Sequence, residues 1–136
     1  MLRAETVVKV EFHDLDPMQV VWHGHYARFL ESARAELMGL IDYNYPQMVA
    51  SGYAWPIVDM RIKYVKPLRF AQKVRIVAEL KEYEFRLRIA YRLSDAATGE
   101  RTTKAETVQL PVEIATGELV FGSPPALLER LRRVLG

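Results

Sequence analysis

Over residues 7–12 apolar and polar positions alternate: Val8, Val10 and Phe12 face one way, Lys9 and Glu11 the other. That is the period of a half-buried strand. The period then changes. Tyr26, Phe29, Leu30, Ala33, Leu37 and Leu40 recur at spacings of three and four, while Arg28, Glu31, Arg34 and Glu36 occupy other faces, which predicts one amphipathic helix of about four turns. Pro46 and the polar turn at Ser51-Gly52 interrupt the chain. Beyond them Val58, Met60, Ile62 and Tyr64 oppose Asp59, Arg61 and Lys63 in a second strand that Pro67 ends. Three more extended segments follow, over 72–80, 85–93 and 101–112. Alternation is cleanest in the middle one, where Phe85, Leu87, Ile89, Tyr91 and Leu93 stand opposite Arg86, Arg88 and Arg92. Residues 82–84 and 95–99 are turn-like and short enough to join antiparallel neighbours. Ser123-Pro124-Pro125 resembles a cap followed by prolines at a helix start, with Leu127, Leu128, Leu131 and Leu135 as its apolar side.

The order is therefore strand, long helix, a run of antiparallel strands and a short C-terminal helix: an α+β class chain. One helix and one sheet, each apolar on one face, cover each other best when the sheet wraps the helix. A length of 136 residues suits a single domain over 1–136. Composition narrows the field, since 50% of residues are hydrophobic and 26% charged, the balance of a globular protein rather than a disordered one. No apolar run approaches the roughly 20 residues a spanning helix needs, and the N-terminus enters strand-like alternation without a signal-peptide core. No membrane association and a cytoplasmic location are the expectations. Cysteine is absent, which removes disulfides, thiolate metal sites and a cysteine nucleophile. The formal net charge is only +2, yet residues 61–92 carry ten Lys or Arg against three acids, a local excess that suits either an anionic ligand or a solvated sheet face.

Candidate chemistry gathers between the first strand and the long helix. His13, Asp14, Asp16, His23 and His25 all fall there, including every histidine of the chain. A loop held between two packed elements keeps reactive groups fixed and accessible; equally, Asp14 and Asp16 could cap turns. The helix start adds a second component. Its first N–H groups, near His23, Gly24 and His25, lack intrahelical partners and carry the positive end of the dipole, so they can hold developing negative charge. A thioester carbonyl placed there would be polarised. His13, His23 and His25 also raise the possibility of a metal site, but the His23-x-His25 pair runs straight into helical periodicity, which sends neighbouring side chains to different faces. No metal and no cofactor are expected.

The segment Asp14-Leu15-Asp16-Pro17-Met18-Gln19-Val20-Val21-Trp22-His23-Gly24-His25-Tyr26, followed by Arg28-Phe29-Leu30-Glu31 and Ala33-Arg34, resembles the signature of the 4-hydroxybenzoyl-CoA thioesterase family of hot-dog proteins. Tyr64-Val65-Lys66-Pro67 and Phe121-Gly122-Ser123-Pro124-Pro125 are similar to weaker family motifs. The resemblance implies a hot-dog fold, an antiparallel β-sheet around one central helix, assembled as a homodimer or homotetramer with active sites at the dimer interface. It implies metal-free hydrolysis of a small acyl- or aroyl-CoA to free acid and CoA. Asp16 would be nucleophile or general base, and His23 would act through its backbone N–H or its side chain. Gly24 and Tyr26 would contact substrate, and Lys66, Arg69, Arg86 and Arg88 are candidates for the CoA phosphates. Trp22, Tyr43, Tyr45, Tyr53 or Trp55 would surround the acyl group. One departure stands out. The family usually places glycine two or three residues after this aspartate, where this chain has Met18 and Gln19, so an altered loop or a narrower pocket is expected. Two other classes compete: a nucleic-acid binder, disfavoured because aromatics do not interleave with Arg86, Arg88 and Arg92 on one face, and a non-catalytic acyl-CoA-binding or interaction module on the same fold.

Overall fold

A computed structural model describes all 136 residues. The chain runs β1 (Arg3–Lys9), a 3-10 turn (Phe12–Asp14), a second 3-10 turn (His23–His25), α1 (Tyr26–Gly39), α2 (Tyr45–Ala50), β2 (Tyr53–Ala54), β3 (Ile57–Tyr64), β4 (Lys73–Glu82), β5 (Leu87–Asp95), β6 (Arg101–Gln109), β7 (Val112–Glu113) and α3 (Pro125–Leu135). Five strands form one antiparallel sheet in the order β1-β4-β5-β6-β3, and β2 pairs with β7 in a separate two-stranded ribbon. The long helix lies against the inner face of the large sheet, as the periodicities predicted.

The core follows from the two periods. Tyr26, Phe29, Leu30, Ala33, Leu37 and Met38 of α1 are buried. They meet Val74, Ile76, Ala78 and Leu80 of β4 and Leu87, Ile89, Tyr91 and Leu93 of β5, all of them within the same buried cluster. Each such aliphatic or aromatic side chain contributes roughly 1.5–3 kcal/mol by leaving water. The alternate residues of β5, among them Arg88 and Arg92, lie on the outer face. At the other edge β3 is exposed along most of its length, with Ile57, Val58, Met60 and Tyr64 among the exposed large hydrophobic residues.

Several boundaries differ from the pattern-based expectation. Phe12 falls in the first 3-10 turn and Phe85 before β5, and both are exposed, because each lies just past the last ladder pair that would have turned it inward. Leu40 is exposed too. Helix α1 ends one residue earlier, and Met38 fills the last inward position. β1 begins at Arg3, its first half carrying small and charged residues that give no apolar signal. Pro46 starts an element rather than breaking one: it sits in the first turn of α2, whose cap residue Asn44 donates its backbone N–H to Gln47 Oε1 at 3.0 Å. No helix is long and apolar enough to cross a membrane.

Candidate active site

Residues 11–26 connect β1 to α1 as a folded-back loop rather than a free excursion. Leu15 and Val21 form an isolated antiparallel bridge, and Val20 forms another with Arg69 on the β3–β4 connection. Val21 N donates to Leu68 O and Trp22 N to Asp14 O, both at 2.9 Å. Between these bridges Asp16 to Val20 make a tight hairpin end, with Gln19 N donating to Asp16 O and Asp16 N to Val20 O, each at 2.9 Å. Gln19 has φ 65°, the left-handed region that closes a three-residue hairpin loop and favours glycine. No glycine occupies this hairpin loop, and glutamine itself takes the left-handed conformation.

The two aspartates have separate environments. Asp14 is fully buried. Its Oδ2 accepts Glu11 N at 2.8 Å, and its Oδ1 accepts the guanidinium of Arg28 from α1. It is a latch between loop and helix. Asp16 is half-buried on the hairpin end, and the hydrogen bond to its side chain comes from Met18 N to Oδ1 at 2.8 Å, an Asx turn that orients the carboxylate without neutralising it.

Beside this hairpin the second 3-10 turn opens α1. His25 N donates to Trp22 O and Tyr26 N to His23 O, while no hydrogen bond engages the N–H groups of His23 and Gly24. Trp22 lies across the turn, its ring 5.1 Å from that of His23 and 5.3 Å from that of His25. A Cβ on Gly24 would fall 2.2 Å from Trp22 Cζ3, so the bare Cα is what lets the indole rest there. The imidazole of His23 is exposed, His25 is half-buried, and His13 Nε2 stands 3.9 Å from Asp14 Oδ1. No group of three or more His, Cys, Asp or Glu side chains is arranged to hold a metal ion.

Tyr26 has its side chain in the core, 2% exposed, with ring centroids 6.1 Å from Phe29 and 4.7 Å from Tyr64. Burial raises its pKa, the nearby Tyr64 adding to the shift, against weaker lowering by hydrogen bonding to Leu68 and Thr103. The hydroxyl of Tyr64 donates to His23 O at 3.1 Å. Neither this bond nor the Arg28 latch was legible in the sequence pattern, although Tyr64 opens one of the quoted motifs.

The four candidate cations divide into two groups. Lys66 and Arg69 lie on the β3–β4 connection that bridges the loop; Lys66 pairs with Glu100 at 3.0 Å, and Arg69 has no ion pair. Arg86 precedes β5 and Arg88 stands on its outer face. Both pair with Glu82, at 2.8 and 2.7 Å, and Arg88 also reaches Glu106 at 3.2 Å. The Arg86 hydrogen bond is the main cause holding the Glu82 carboxyl below the usual range. A cavity of about 560 Å³ lies over this outer face, and one of about 430 Å³, lined by Tyr45, Tyr53 and Trp55, lies between α1, α2 and the strand ends. Asp16 lines neither. Tyr43 is buried instead, its hydroxyl accepting Trp55 Nε1 at 3.1 Å.

Comparison with known proteins places the loop and helix in context. The Thioesterase-like superfamily matches residues 10–131, which takes in Asp16, the turn and every strand of the large sheet except β1. The chain belongs to this superfamily. Among relatives of the thioesterase-like chain, the Synechocystis sp. protein sll0410 is 28% identical over 131 residues, covering 96% of this chain and 79% of its own. The acyl-CoA thioester hydrolase YbgC of Escherichia coli O6:H1 is 29% identical over 73 residues, 54% of each chain. The solved DHNA-CoA thioesterase from Staphylococcus aureus superposes with a TM-score of 0.88 at 23% identity, over 99% of this chain and 92% of that one, which establishes the hot-dog fold. Relatives named as acyl-CoA thioesterases support a hydrolase activity for this superfamily member.

Proposed function

We propose that this thioesterase-like protein hydrolyses a small acyl- or aroyl-CoA to free acid and CoA, with Asp16 as nucleophile or general base and the start of α1 as the oxyanion site. The observation that carries the reading is the pair of unengaged N–H groups on His23 and Gly24, on a turn whose preceding residue, Trp22, is hydrogen-bonded to the same loop that presents Asp16. Negative charge growing on a thioester oxygen would be met there by fixed donors, an effect worth roughly 10²–10³ in rate where it has been measured for one donor. The carboxylate then attacks the carbonyl carbon and expels CoA thiolate, leaving a mixed anhydride that water cleaves to free acid and the regenerated carboxylate, or it takes a proton from a water that attacks the carbonyl directly. Thiolate leaves readily, so little general-acid help is required. Arg69 suits a CoA phosphate, being beside the loop and uncommitted; Lys66, Arg86 and Arg88 would have to exchange a carboxylate partner for a phosphate.

That CoA thioesters are the substrate class is supported by the relatives, whose names specify an acyl-CoA thioester hydrolase and a DHNA-CoA thioesterase. A second copy of the chain is part of the reading. The apolar residues exposed along β3 form an unpaired edge of the kind that pairs with another strand, and Asp16 lines neither the outer-face cavity nor the one between α1 and α2. Pairing two β3 edges as a homodimer, with a homotetramer built from two such pairs, would wall the site. Sedimentation equilibrium at micromolar concentration is expected to return twice or four times the chain mass, and a monomer would remove the pairing. For the chemistry, the test is release of free thiol from a panel of aliphatic and aromatic acyl-CoAs by the native protein and by Asp16→Ala. Turnover by Asp16→Ala within a factor of two of the native protein would falsify the role of Asp16. Binding of CoA without thiol release by the native protein would favour a silent binding module.

A further inference from the structure

The carbonyl of His23 accepts two hydrogen bonds, one from Tyr26 N at the opening of α1 and one from the hydroxyl of Tyr64 at 3.1 Å. That carbonyl belongs to the same peptide unit as the N–H of Gly24, which has no acceptor in the chain. We propose that Tyr64 is a positioning residue for thioester hydrolysis: its hydroxyl fixes the His23–Gly24 peptide and strengthens Gly24 N–H as an oxyanion donor. The inference rests on the oxyanion reading of this turn.

Two physical effects act together. In an amide, a donor at the carbonyl oxygen draws electron density from nitrogen, leaving the N–H more positive; such chains strengthen each bond by about 10–30%. Tyr64 also tethers the turn from outside the helix. The tyrosine stands on β3, opposite Thr103 of β6, so the direction of the peptide is set against the sheet rather than by the frayed first turn of α1. Its ring is fixed in turn, edge-on to Tyr26 with centroids 4.7 Å apart. Burial raises the pKa of Tyr64, so the hydroxyl keeps its proton and remains a donor at neutral pH. Oxyanion stabilisation depends on donors that need no reorganisation as charge develops, and Tyr64 supplies that rigidity.

The test is Tyr64→Phe, which removes one oxygen from a half-exposed ring, keeps its packing on Tyr26 and so leaves the fold in place. The expected result is a kcat about three- to tenfold lower, the size of one modest hydrogen bond, with KM unchanged within a factor of two. A purely structural role would instead lower Tm and move both constants. The second readout is the carbonyl stretch of carbonyl-¹³C benzoyl-CoA bound to Asp16→Asn, where turnover is blocked. It is expected below the free value in Asp16→Asn and partway back toward it in Asp16→Asn/Tyr64→Phe. An unchanged kcat and an unchanged bound stretch on removing the hydroxyl overturn the proposal while leaving the oxyanion reading intact. A bound stretch equal to the free value in Asp16→Asn itself overturns both.

Discussion

Asp14 and Asp16 are separated by a single leucine, yet they belong to different parts of the molecule. Asp14 faces inward, is fully buried, and has its oxygens taken by Glu11 N–H and the Arg28 guanidinium. Asp16 is half-buried at the hairpin end and its side chain holds one N–H, from Met18. A buried carboxylate must be paired, and once paired it is spent on structure; a half-buried one held by a local turn keeps an oxygen for chemistry. The motif resemblance points to the second of the two acids, and their hydrogen-bond partners separate them independently.

Substituting each acid in turn should separate the two roles, and the largest effect belongs to Asp16. Asp16→Ala is expected to lower kcat by about 10²–10⁴, the range for a positioned acid–base group, with Tm nearly unchanged because only one local hydrogen bond is lost. Asp14→Ala should do the reverse in kind. It leaves Glu11 N–H without an acceptor and Arg28 without its partner. With Arg28 half in solvent, the cost is about 2 kcal/mol rather than the larger penalty of a fully buried pair. Thermal unfolding should show it as a fall in Tm of about 5–10 °C, with residual turnover when assayed well below the transition. If Asp14→Ala instead abolished turnover at unchanged Tm, the assignment of roles within the loop would be reversed.

The division between legible and hidden features follows from the range over which each is encoded. Helix α1 and strands β4 and β5 are written in local periods of about 3.6 and 2, and most apolar residues at those spacings are buried, whereas the alternation of Val58, Met60 and Tyr64 on β3 belongs to an edge strand that stays exposed. Failures cluster where a pattern outruns its element: Phe12, Leu40 and Phe85 continue an apolar rhythm past the last pair or turn that could bury them. Helix α2 was unreadable because six residues beginning beside a proline carry too little period to outweigh the proline. In the candidate site, the proposal for Asp16 and the helix start comes from the motif. The Asp14–Arg28 latch spans 14 positions and the Tyr64–His23 bond spans 41, and no local rule specifies either.

The smallest effect expected on this loop is also the one that tests how its rim is built. Gln19 takes φ 65°, a conformation that costs an L-residue about 1–2 kcal/mol through the clash of Cβ with the following carbonyl. Glycine removes that clash but adds freedom to the unfolded chain, which offsets part of the gain. Gln19→Gly should therefore stabilise by about 0.5 kcal/mol, a rise of roughly 1–3 °C in Tm, with kcat within a factor of two because the bonds closing the hairpin are between backbone atoms. The same substitution at Met18, whose φ is not positive and whose N–H holds Asp16, lacks any strain to relieve and should lower Tm instead. Opposite signs at these adjacent positions would show that the rim presenting Asp16 is set by one left-handed residue. A loss of stability at Gln19 matching that at Met18 would mean the hairpin end has a different geometry, and the contrast between a fixed inner acid and an oriented outer one would lose its basis.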